Sequence, residues 1–354
     1  MKNILILLVL ILIGTAAYIA SNVIPISGAL DKYETKLVGQ CDRLDISPGT
    51  EDIAIDHNLG VAFVSAADRR AWFLNGGSEG ASVPNGGIFV VDLSDPTSSI
   101  KVSPDNLDDF QPHGISLWHG ENGARRLFVI NHPSTGAEIV EIFDVGPDNI
   151  LTHVESISFK QMYSPNDVVA VGPRQFYATN DRRYDAGVMA SIETYFALPM
   201  TSVVYFDGNK GEVAATGLVY ANGINVSSDG AKVFVAEVLK RRMTVFDRNE
   251  ATGDLARNKR IKLNTAPDNI DVDEHGMLWI GGHPQALKFA GHAEDAANIS
   301  PSHVVRVDPE TGDVEDVFVS LDGEINGSSV GAAFDGQLLV GAVFEPHIMV
   351  CPLP

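Results

Sequence analysis

Six short stretches of this chain are nearly interchangeable, and their repetition constrains the fold more than any other feature. In each, small polar or acidic residues lead a short β-rich run, and a turn and a second apolar strand follow. The stretches are residues 51–56, 112–116, 165–169, 221–225, 267–271 and 327–331. They begin 46 to 61 residues apart, and such a period, with several strands per unit, is typical of a β-propeller. The sequence therefore predicts an all-β fold, a six-bladed β-propeller over residues 41–354, with the leading polar residues pointing toward one central tunnel.

The composition supports a single closed ring and excludes one class of partner. With 354 residues, 45% of them hydrophobic, the length alone would permit two domains, but a lone blade cannot bury its faces. The formal net charge is -21, whereas nucleic-acid binding needs clustered Lys and Arg. Four Arg-Arg pairs, beginning at positions 69, 125, 182 and 241, are dispersed, and we expect them in solvated turns. We therefore predict no nucleic-acid partner.

An apolar N-terminus precedes the repeats. Lys2 is followed by an apolar run that reaches Ile13, and small residues prolong it to Ala20. A charged start, an apolar region and small residues are typical of a secretory signal, and about 17 apolar residues is near the lower limit for spanning a bilayer. We predict a hydrophobic signal peptide or signal anchor over residues 1–24 and a stalk over residues 25–40. Cleaved or retained, it directs the protein to the secretory pathway, either secreted or anchored in a membrane.

The two cysteines lie at the ends of the predicted ring. Cys41 precedes the first unit and Cys351 is almost the last residue. An even pair in a secreted chain indicates a disulfide, which here would clamp the seam of the ring; two free buried thiols are the alternative. Three N-glycosylation sequons begin at Asn225, Asn298 and Asn326. Those at Asn225 and Asn326 fall within repeat starts, so a structural role without modification is the alternative there.

Carboxylate and amide residues lead most of the repeats. They are Glu51, Asn166, Asn222, Asp268 and Asn269, with Asp52 and Asp167 beside them. Oxygen ligands of both kinds, brought from distant segments, suit a hard cation such as calcium, which takes six to eight of them. A softer metal would need clustered His or Cys. The alternative is that these side chains only cap turns at strand starts.

Two histidines occupy related places in one unit. His113 leads the second repeat, and His132 follows its second strand, so the two could meet at one end of the tunnel. A histidine pair can activate a water molecule, one as base and the other orienting it; two structural histidines are the alternative. His283 repeats the placement of His132 in a later unit. Ser329 lies in a literal G-x-S-x-G match, but that motif needs the strand-turn-helix of an α/β sheet, and we predict no serine nucleophile.

Long excursions interrupt the regular units at residues 66–85 and 181–201, and 286–298 form a further one with helical character. Helical character also marks residues 184–198. Long excursions from one face of a propeller are usually lids or binding loops. We expect them to border the mouth of the site.

Taken together, these motifs resemble the serum paraoxonase family of arylesterase-lactonases. The matching motifs are GTED at 49–52, PHGIS at 112–116, VINHP at 129–133, NDVVAVGP at 166–173, ANGIN at 221–225 and DN at 268–269. The resemblance extends over nearly the whole chain from Cys41 to Cys351. It implies a six-bladed propeller with two calcium ions in its tunnel, and calcium-dependent hydrolysis of lactones and aryl esters, with aryl phosphotriesters as a side activity.

The resemblance also implies roles for individual residues. It implies a catalytic calcium held by Glu51, Asn166, Asn222, Asp268 and Asn269. It implies a structural calcium held by Asp52, Asp167 and the backbone carbonyl of Ile115. His113 and His132 match the family's proposed dyad, and Cys41 and Cys351 its closing disulfide.

The substrate pocket is implied in the same way. Tyr220 and Phe344 fall at positions of pocket walls in the family, and we group His283 with them. The resemblance implies a small ester or lactone as substrate and a membrane or lipid surface as partner through a retained N-terminus. Two alternatives stay open: a gluconolactonase-like enzyme acting on a sugar lactone, and a non-catalytic calcium-binding propeller.

Overall fold

The computed structural model describes residues 2–74 and 83–353, and in this part of the chain the strands form six four-stranded antiparallel sheets. Strand β1 (Asp42–Asp45) comes first and is set apart from the strands that follow it. Five sheets of four consecutive strands follow. The first contains β2 (Thr50–Asp56), β3 (Val61–Ala66), β4 (Gly87–Asp92) and β5 (Ser99–Lys101), and the second contains β6 (Pro112–His119), β7 (Arg125–Asn131), β8 (Ile139–Val145) and β9 (Leu151–Ile157). The third contains β10 (Pro165–Ala170), β11 (Phe176–Asn180), β12 (Thr201–Phe206) and β13 (Gly211–Leu218), and the fourth contains β14 (Ala221–Val226), β15 (Lys232–Glu237), β16 (Arg242–Arg248) and β17 (Leu255–Lys262). The fifth contains β18 (Ala266–Val272), β19 (Leu278–His283), β20 (Ser302–Val307) and β21 (Val314–Ser320).

The sixth sheet joins the two ends of the chain. It contains β22 (Ser328–Phe334), β23 (Gln337–Ala342) and β24 (His347–Pro352), and β1 supplies its outer strand by pairing antiparallel with β24. Beside this seam, a disulfide links Cys41 to Cys351 across 310 residues of sequence. The predicted six-bladed propeller, closed by a terminal disulfide, is therefore confirmed.

The first strand of each consecutive set lies innermost. Strands β2, β6, β10, β14, β18 and β22 contact one another in a closed ring around the axis. Most of their Val, Ile and Ala residues are buried, as expected for strands covered on both faces. Between each pair of adjacent sheets lies a cluster of buried apolar side chains, such as Phe128, Phe176 and Phe206 between the second and third sheets. These clusters hold the blades together.

A register shift interrupts the same end of all six inner strands. The shifts fall between Thr50 and Asp52, Pro112 and Ile115, Pro165 and Val168, Ala221 and Ile224, Pro267 and Ile270, and Ser328 and Val330. Bulges of this kind release residues from the ladder and re-aim their side chains. The polar residues of the sequence repeat occupy these positions, so the repeat marks one bulge per blade.

Four helices accompany the sheets in the described residues: α1 (Lys2–Ser27), α2 (Arg69–Leu74), α3 (Gly187–Tyr195) and α4 (Ala286–Glu294). There are also three short 3-10 helices, Val38–Gln40, Glu121–Gly123 and Val238–Lys240. Helices α2, α3 and α4 each connect the second strand of a blade to the third, and so lie on the face where the inner strands begin. They occupy the three predicted excursions, although residues 75–82 of the first excursion lie outside the described part of the chain.

Helix α1 is long and apolar enough to cross a membrane, with a mean hydropathy of 2.7 in its most apolar window, a test that a signal sequence also passes. It ends at Ser27, and the chain then runs along the propeller, where Asp31 pairs with Arg241 and Lys36 bridges to Val319. The boundaries at residues 24 and 40 stay predictions.

Candidate active site

The bulged residues of different blades meet at one end of the tunnel. The Asn269 Nδ2 atom donates to the Glu51 carboxylate at 2.9 Å, and the Ser329 hydroxyl donates to the Glu51 carbonyl at 2.5 Å. Glu51, Asn166, Asn222, Asp268 and Asn269 are each at most 7% exposed. We call these five side chains the upper ring.

The upper ring presents oxygens that the protein leaves unpaired. Glu51 Oε2, Asn166 Oδ1, Asn222 Oδ1 and Asn269 Oδ1 are buried and have no hydrogen-bond partner among the described residues. Leaving one such atom unpaired costs about 1–3 kcal/mol, and among the described residues the only cation near them is Arg69, whose Nη2 comes no closer than 3.9 Å to Glu51 Oε2. The four oxygens together therefore indicate a missing partner with positive charge. Carboxylate and amide oxygens are the donors that calcium prefers. In the described part of the chain, no three His, Cys, Asp or Glu side chains gather as a metal-ligand group, so amide oxygens would have to complete the ligand set beside Glu51 and Asp268. The donors present therefore fit a hard cation.

A second layer lies deeper in the tunnel. Asp52 accepts hydrogen bonds from Ile53 N at 2.8 Å and Ile115 N at 2.7 Å, and Asp167 accepts them from Val168 N and Ile224 N, both at 2.7 Å. Each carboxylate thereby accepts a hydrogen bond from the inner strand of the next blade. We call Asp52 and Asp167 the deep carboxylate pair. Ile115, whose carbonyl was predicted to bind the structural calcium, lies beside the pair and donates its backbone N–H to Asp52.

The charge of the deep carboxylate pair is not balanced by the protein. Burial raises the pKa of the Asp52 and Asp167 carboxyl groups well above the usual range of an aspartate. The nearby Glu51 carboxylate raises the pKa of Asp52 further, and the Asp52 carboxylate does the same to Asp167. Such a shift is expected where a cation belongs between the carboxylates. Glycine is required next to the pair, because a Cβ at Gly114 would lie 2.3 Å from Asp167 Oδ1.

The two predicted histidines lie in contact and form part of a longer chain. His113 Nδ1 is 3.0 Å from His132 Nε2, and His132 Nδ1 is 2.7 Å from Glu138 Oε2. The other nitrogen of His113, Nε2, is 3.4 Å from Glu51 Oε1. The chain Glu138–His132–His113 thus ends at the upper ring.

The hydrogen bonds set the tautomers of this chain. The Glu138 carboxylate can only accept, so His132 Nδ1 carries the proton and its Nε2 accepts from His113 Nδ1. This leaves His113 Nε2 as an unprotonated nitrogen at the tunnel. Burial lowers the pKa of His113, and the attraction of Glu51 only partly opposes this. His113 is therefore neutral near pH 7 and able to accept a proton.

Glu51 is ionised beside this histidine. Burial alone would raise the pKa of Glu51, but the charge that His113 carries once it is protonated, the charge of Arg69 and the hydrogen bond from Asn269 outweigh it and lower the pKa to about 2. Arg69 Nη2 lies 3.9 Å from Glu51 Oε2 and donates to the Pro112 carbonyl at 2.6 Å. The arginine thus ties helix α2 to the upper ring.

Aromatic and cationic side chains border the site. The His283 ring stacks on Phe289 with centroids 3.7 Å apart, Phe289 stacks on Phe344 at 5.7 Å, and Arg70 lies over Phe344. His283 Nε2 is also 3.0 Å from Asp268 Oδ2. Separately, Arg182 lies over the Tyr220 ring. His283 therefore touches both the upper ring and this aromatic wall.

Some residues of the site were not predicted from the sequence. Glu138, Arg69 and Phe289 belong to excursions or loops, and their only signal was proximity in sequence to a histidine or a predicted lid. The expectation that the arginine pairs lie in solvated turns is wrong for one member of three pairs, because the side chains of Arg69, Arg125 and Arg241 are only 15%, 8% and 9% exposed. Arg69 and Arg125 lie beside the buried carboxylates of Glu51 and Asp56, and Arg241 pairs with the exposed Asp31.

Ser329 is not placed as a nucleophile. It is fully buried on inner strand β22, and its hydroxyl donates to a backbone carbonyl. A nucleophile elbow would expose that hydroxyl at a strand-to-helix turn. The G-x-S-x-G match is therefore a feature of the sixth bulge.

The fold and the site define a six-bladed propeller with an oxygen-lined, histidine-bearing tunnel. A family model described as Arylesterase matches residues 42–353, and the chain belongs to this family. It is 36% identical over 312 residues to human serum paraoxonase/arylesterase 1, covering 85% of each chain. It is 34% identical over 317 residues to serum paraoxonase/arylesterase 2 of Gallus gallus, covering 87% of each chain.

More distant solved structures share the fold alone. A gluconolactonase from Xanthomonas campestris superposes with a TM-score of 0.56 at 15% identity, covering 92% of this chain and 96% of that chain. A calcium-binding regucalcin from Agrobacterium tumefaciens does so with a TM-score of 0.52 at 11% identity, covering 91% and 94%.

Proposed function

We propose that this protein is a calcium-dependent hydrolase of aryl esters and lactones, with one calcium ion at the upper ring and a second at the deep carboxylate pair. The observation that carries the proposal is the set of four buried, unpaired oxygens on four inner strands, beside a histidine that is free to accept a proton. Family membership supports the reaction class. A bound calcium would polarise the substrate carbonyl and stabilise the oxyanion.

The chain's own residues supply the proton transfer. His113 Nε2 takes a proton from the attacking water, and the resulting imidazolium lies 3.4 Å from Glu51. His132 accepts a hydrogen bond from the other side of the ring, and Glu138 holds His132 in the tautomer that makes this contact. General-base help of this kind is typically worth about 10² to 10⁴ in rate.

The substrate would lie between the aromatic wall and Tyr220. Phe344 and Phe289 offer an apolar surface for an aryl or alkyl group, and Tyr220, beside Arg182, would form another wall. His283 positions the Asp268 carboxylate through their 3.0 Å contact.

The test is hydrolysis of phenyl acetate and of an aliphatic lactone by purified protein, before and after exhaustive chelation and after calcium is restored. We expect activity that is lost on chelation and recovered with calcium. Full activity after chelation would contradict the calcium role. A preference for sugar lactones would favour the gluconolactonase alternative, and calcium binding without hydrolysis would favour the non-catalytic one.

The proposal extends to location. The apolar helix and the disulfide are consistent with the secretory pathway, and we propose that α1 is retained as an anchor to a membrane or lipid surface. The propeller holds the base of this helix: Lys240 Nζ is 2.8 Å from Asn22 Oδ1, and the Tyr18 hydroxyl donates to the Phe196 carbonyl. N-terminal sequencing of protein secreted or extracted from expressing cells tests this, and a mature N-terminus beyond residue 24 would refute it.

A further inference from the structure

We call the end of the tunnel with the upper ring and His113 the catalytic face. A cavity of about 410 Å³ occupies the opposite end of the tunnel. Its wall is formed by the second halves of inner strands and the turns after them, such as Asp52 to Ile55 on β2, Asn58 in the turn after β2, and Ile270 to Glu274 on and after β18. Asn58, His119, Ser228 and Glu274 at its rim are exposed, so the cavity opens to solvent. We call it the distal cavity.

The inner end of the distal cavity is the deep carboxylate pair, since Asp52 and Asp167 both line it. From the catalytic face, by contrast, the same pair lies behind the upper ring, whose members are at most 7% exposed and are linked by the Asn269–Glu51 hydrogen bond. An ion entering from that side would have to pass the first calcium position. The open approach to the deep carboxylate pair is therefore from the distal face.

The distal cavity has the charge that attracts cations. The acidic side chains of Asp271, Asp273 and Glu274 line it, and no Lys or Arg is among its lining residues in the described chain. A cleft lined by one sign of charge concentrates ions of the opposite sign and raises their rate of arrival. Its volume accommodates several water molecules at about 30 Å³ each, so a hydrated ion fits.

One carboxylate oxygen faces this space without a partner. Asp271 is nine-tenths buried, lines the distal cavity, and its Oδ2 atom has no hydrogen-bond partner among the described residues. The neighbouring Asp273 differs, because it accepts hydrogen bonds from His275 N, Met277 N and Trp279 Nε1. Asp271 is thus the carboxylate available to a passing ion.

We propose that the distal cavity is the route by which a divalent cation reaches and leaves the deep carboxylate pair, with Asp271 as the carboxylate that meets the hydrated ion on the way. The inference rests on the proposed function, because it requires an ion at that pair. It assigns ion exchange and substrate binding to opposite faces of the propeller.

The test measures calcium exchange in the full chain, separately from hydrolysis. Stopped-flow mixing with a fluorescent chelator gives release rates, terbium luminescence gives uptake rates, and isothermal titration gives stoichiometry and affinity at pH 8. Ser228→Trp obstructs the rim, and Asp271→Asn removes the free carboxylate with little change of shape. Matched controls are Ser94→Trp in an exposed turn and Asp308→Asn in a half-buried turn, both on the same face outside the cavity.

We expect Ser228→Trp to slow uptake and release of the deep ion by the same factor, since an obstruction raises the barrier in both directions and leaves the affinity unchanged. Asp271→Asn should slow uptake roughly three- to tenfold, at or below the low end of the 10- to 1,000-fold effects of electrostatic focusing. The two controls should exchange calcium at the wild-type rate.

Unchanged exchange in both cavity variants, in a protein that binds two calcium ions, would overturn this inference and leave the proposed function standing. Faster release with weaker affinity in Asp271→Asn would also overturn it, because Asp271 would then be a ligand of the resident ion. A wild-type protein that binds no calcium would overturn the inference and the proposed calcium site together.

Discussion

Replacing Glu138 by glutamine tests the proton-transfer chain at its outermost member. The Glu138 carboxylate accepts a 2.7 Å hydrogen bond from His132 and is 27% exposed. Hydrogen bonds to charged groups contribute about 1.5–3 kcal/mol, and partial exposure favours the lower end. Because 1.36 kcal/mol corresponds to tenfold in rate, we expect Glu138→Gln to lower kcat for phenyl acetate roughly tenfold, with a small change in KM.

The pH profile distinguishes this role from a structural one. A carboxylate at the end of the chain favours protonation of His113 through His132, so its loss should make His113 harder to protonate and move the acid limb of the kcat profile to lower pH. The matched control is Glu155→Gln in the same blade, which removes a carboxylate that pairs with Arg174 on the surface and should leave the profile unchanged. Glu138→Gln with at least half of the wild-type kcat and an unshifted limb would refute the reasoning.

Three further predictions concern the same protein. His113→Gln should lower lactone turnover by about 10² or more while the melting temperature changes little, and a fall of less than threefold would show that His113 only shapes the pocket. Asp268→Ala should be inactive and less stable because a buried cation loses a counter-charge, whereas Ser329→Ala should keep most of its turnover. Phenyl acetate hydrolysis by both variants at saturating calcium distinguishes metal-assisted from serine-based hydrolysis. Reducing the Cys41–Cys351 bond should lower the free energy of unfolding by up to about 5 kcal/mol on chain-entropy grounds, and with it the denaturation midpoint. An unchanged midpoint would show that the disulfide does not stabilise the seam.

Local information in the chain was enough to predict the architecture. Each blade carries its own strands, turns and leading polar residues, so the period could be counted without knowing any distance. The seam followed from the positions of Cys41 and Cys351 at the two ends of the repeat array. The types of the upper-ring residues could also be read, because each occupies the same position of its own repeat.

Contacts between blades could not be read in this way. The unpaired oxygens of Asn166 and Asn222 and the hydrogen bond from Asn269 to Glu51 exist because ring closure brings residues together that are up to 218 positions apart. Glu138 meets His132 only because a loop returns to it. Arg69 reaches Glu51 from a helical excursion whose path no period predicts.

The sequence by itself determined the repeating unit, the number of blades and the chemical types of residue at each bulge, since these depend on local patterns. Only the tertiary structure decided which atoms are left unpaired, which nitrogen of His113 is free, and that Ser329 points to a backbone carbonyl. These depend on the bulge geometry and on the distances between blades, which are set when the apolar faces of all six sheets pack into a closed ring.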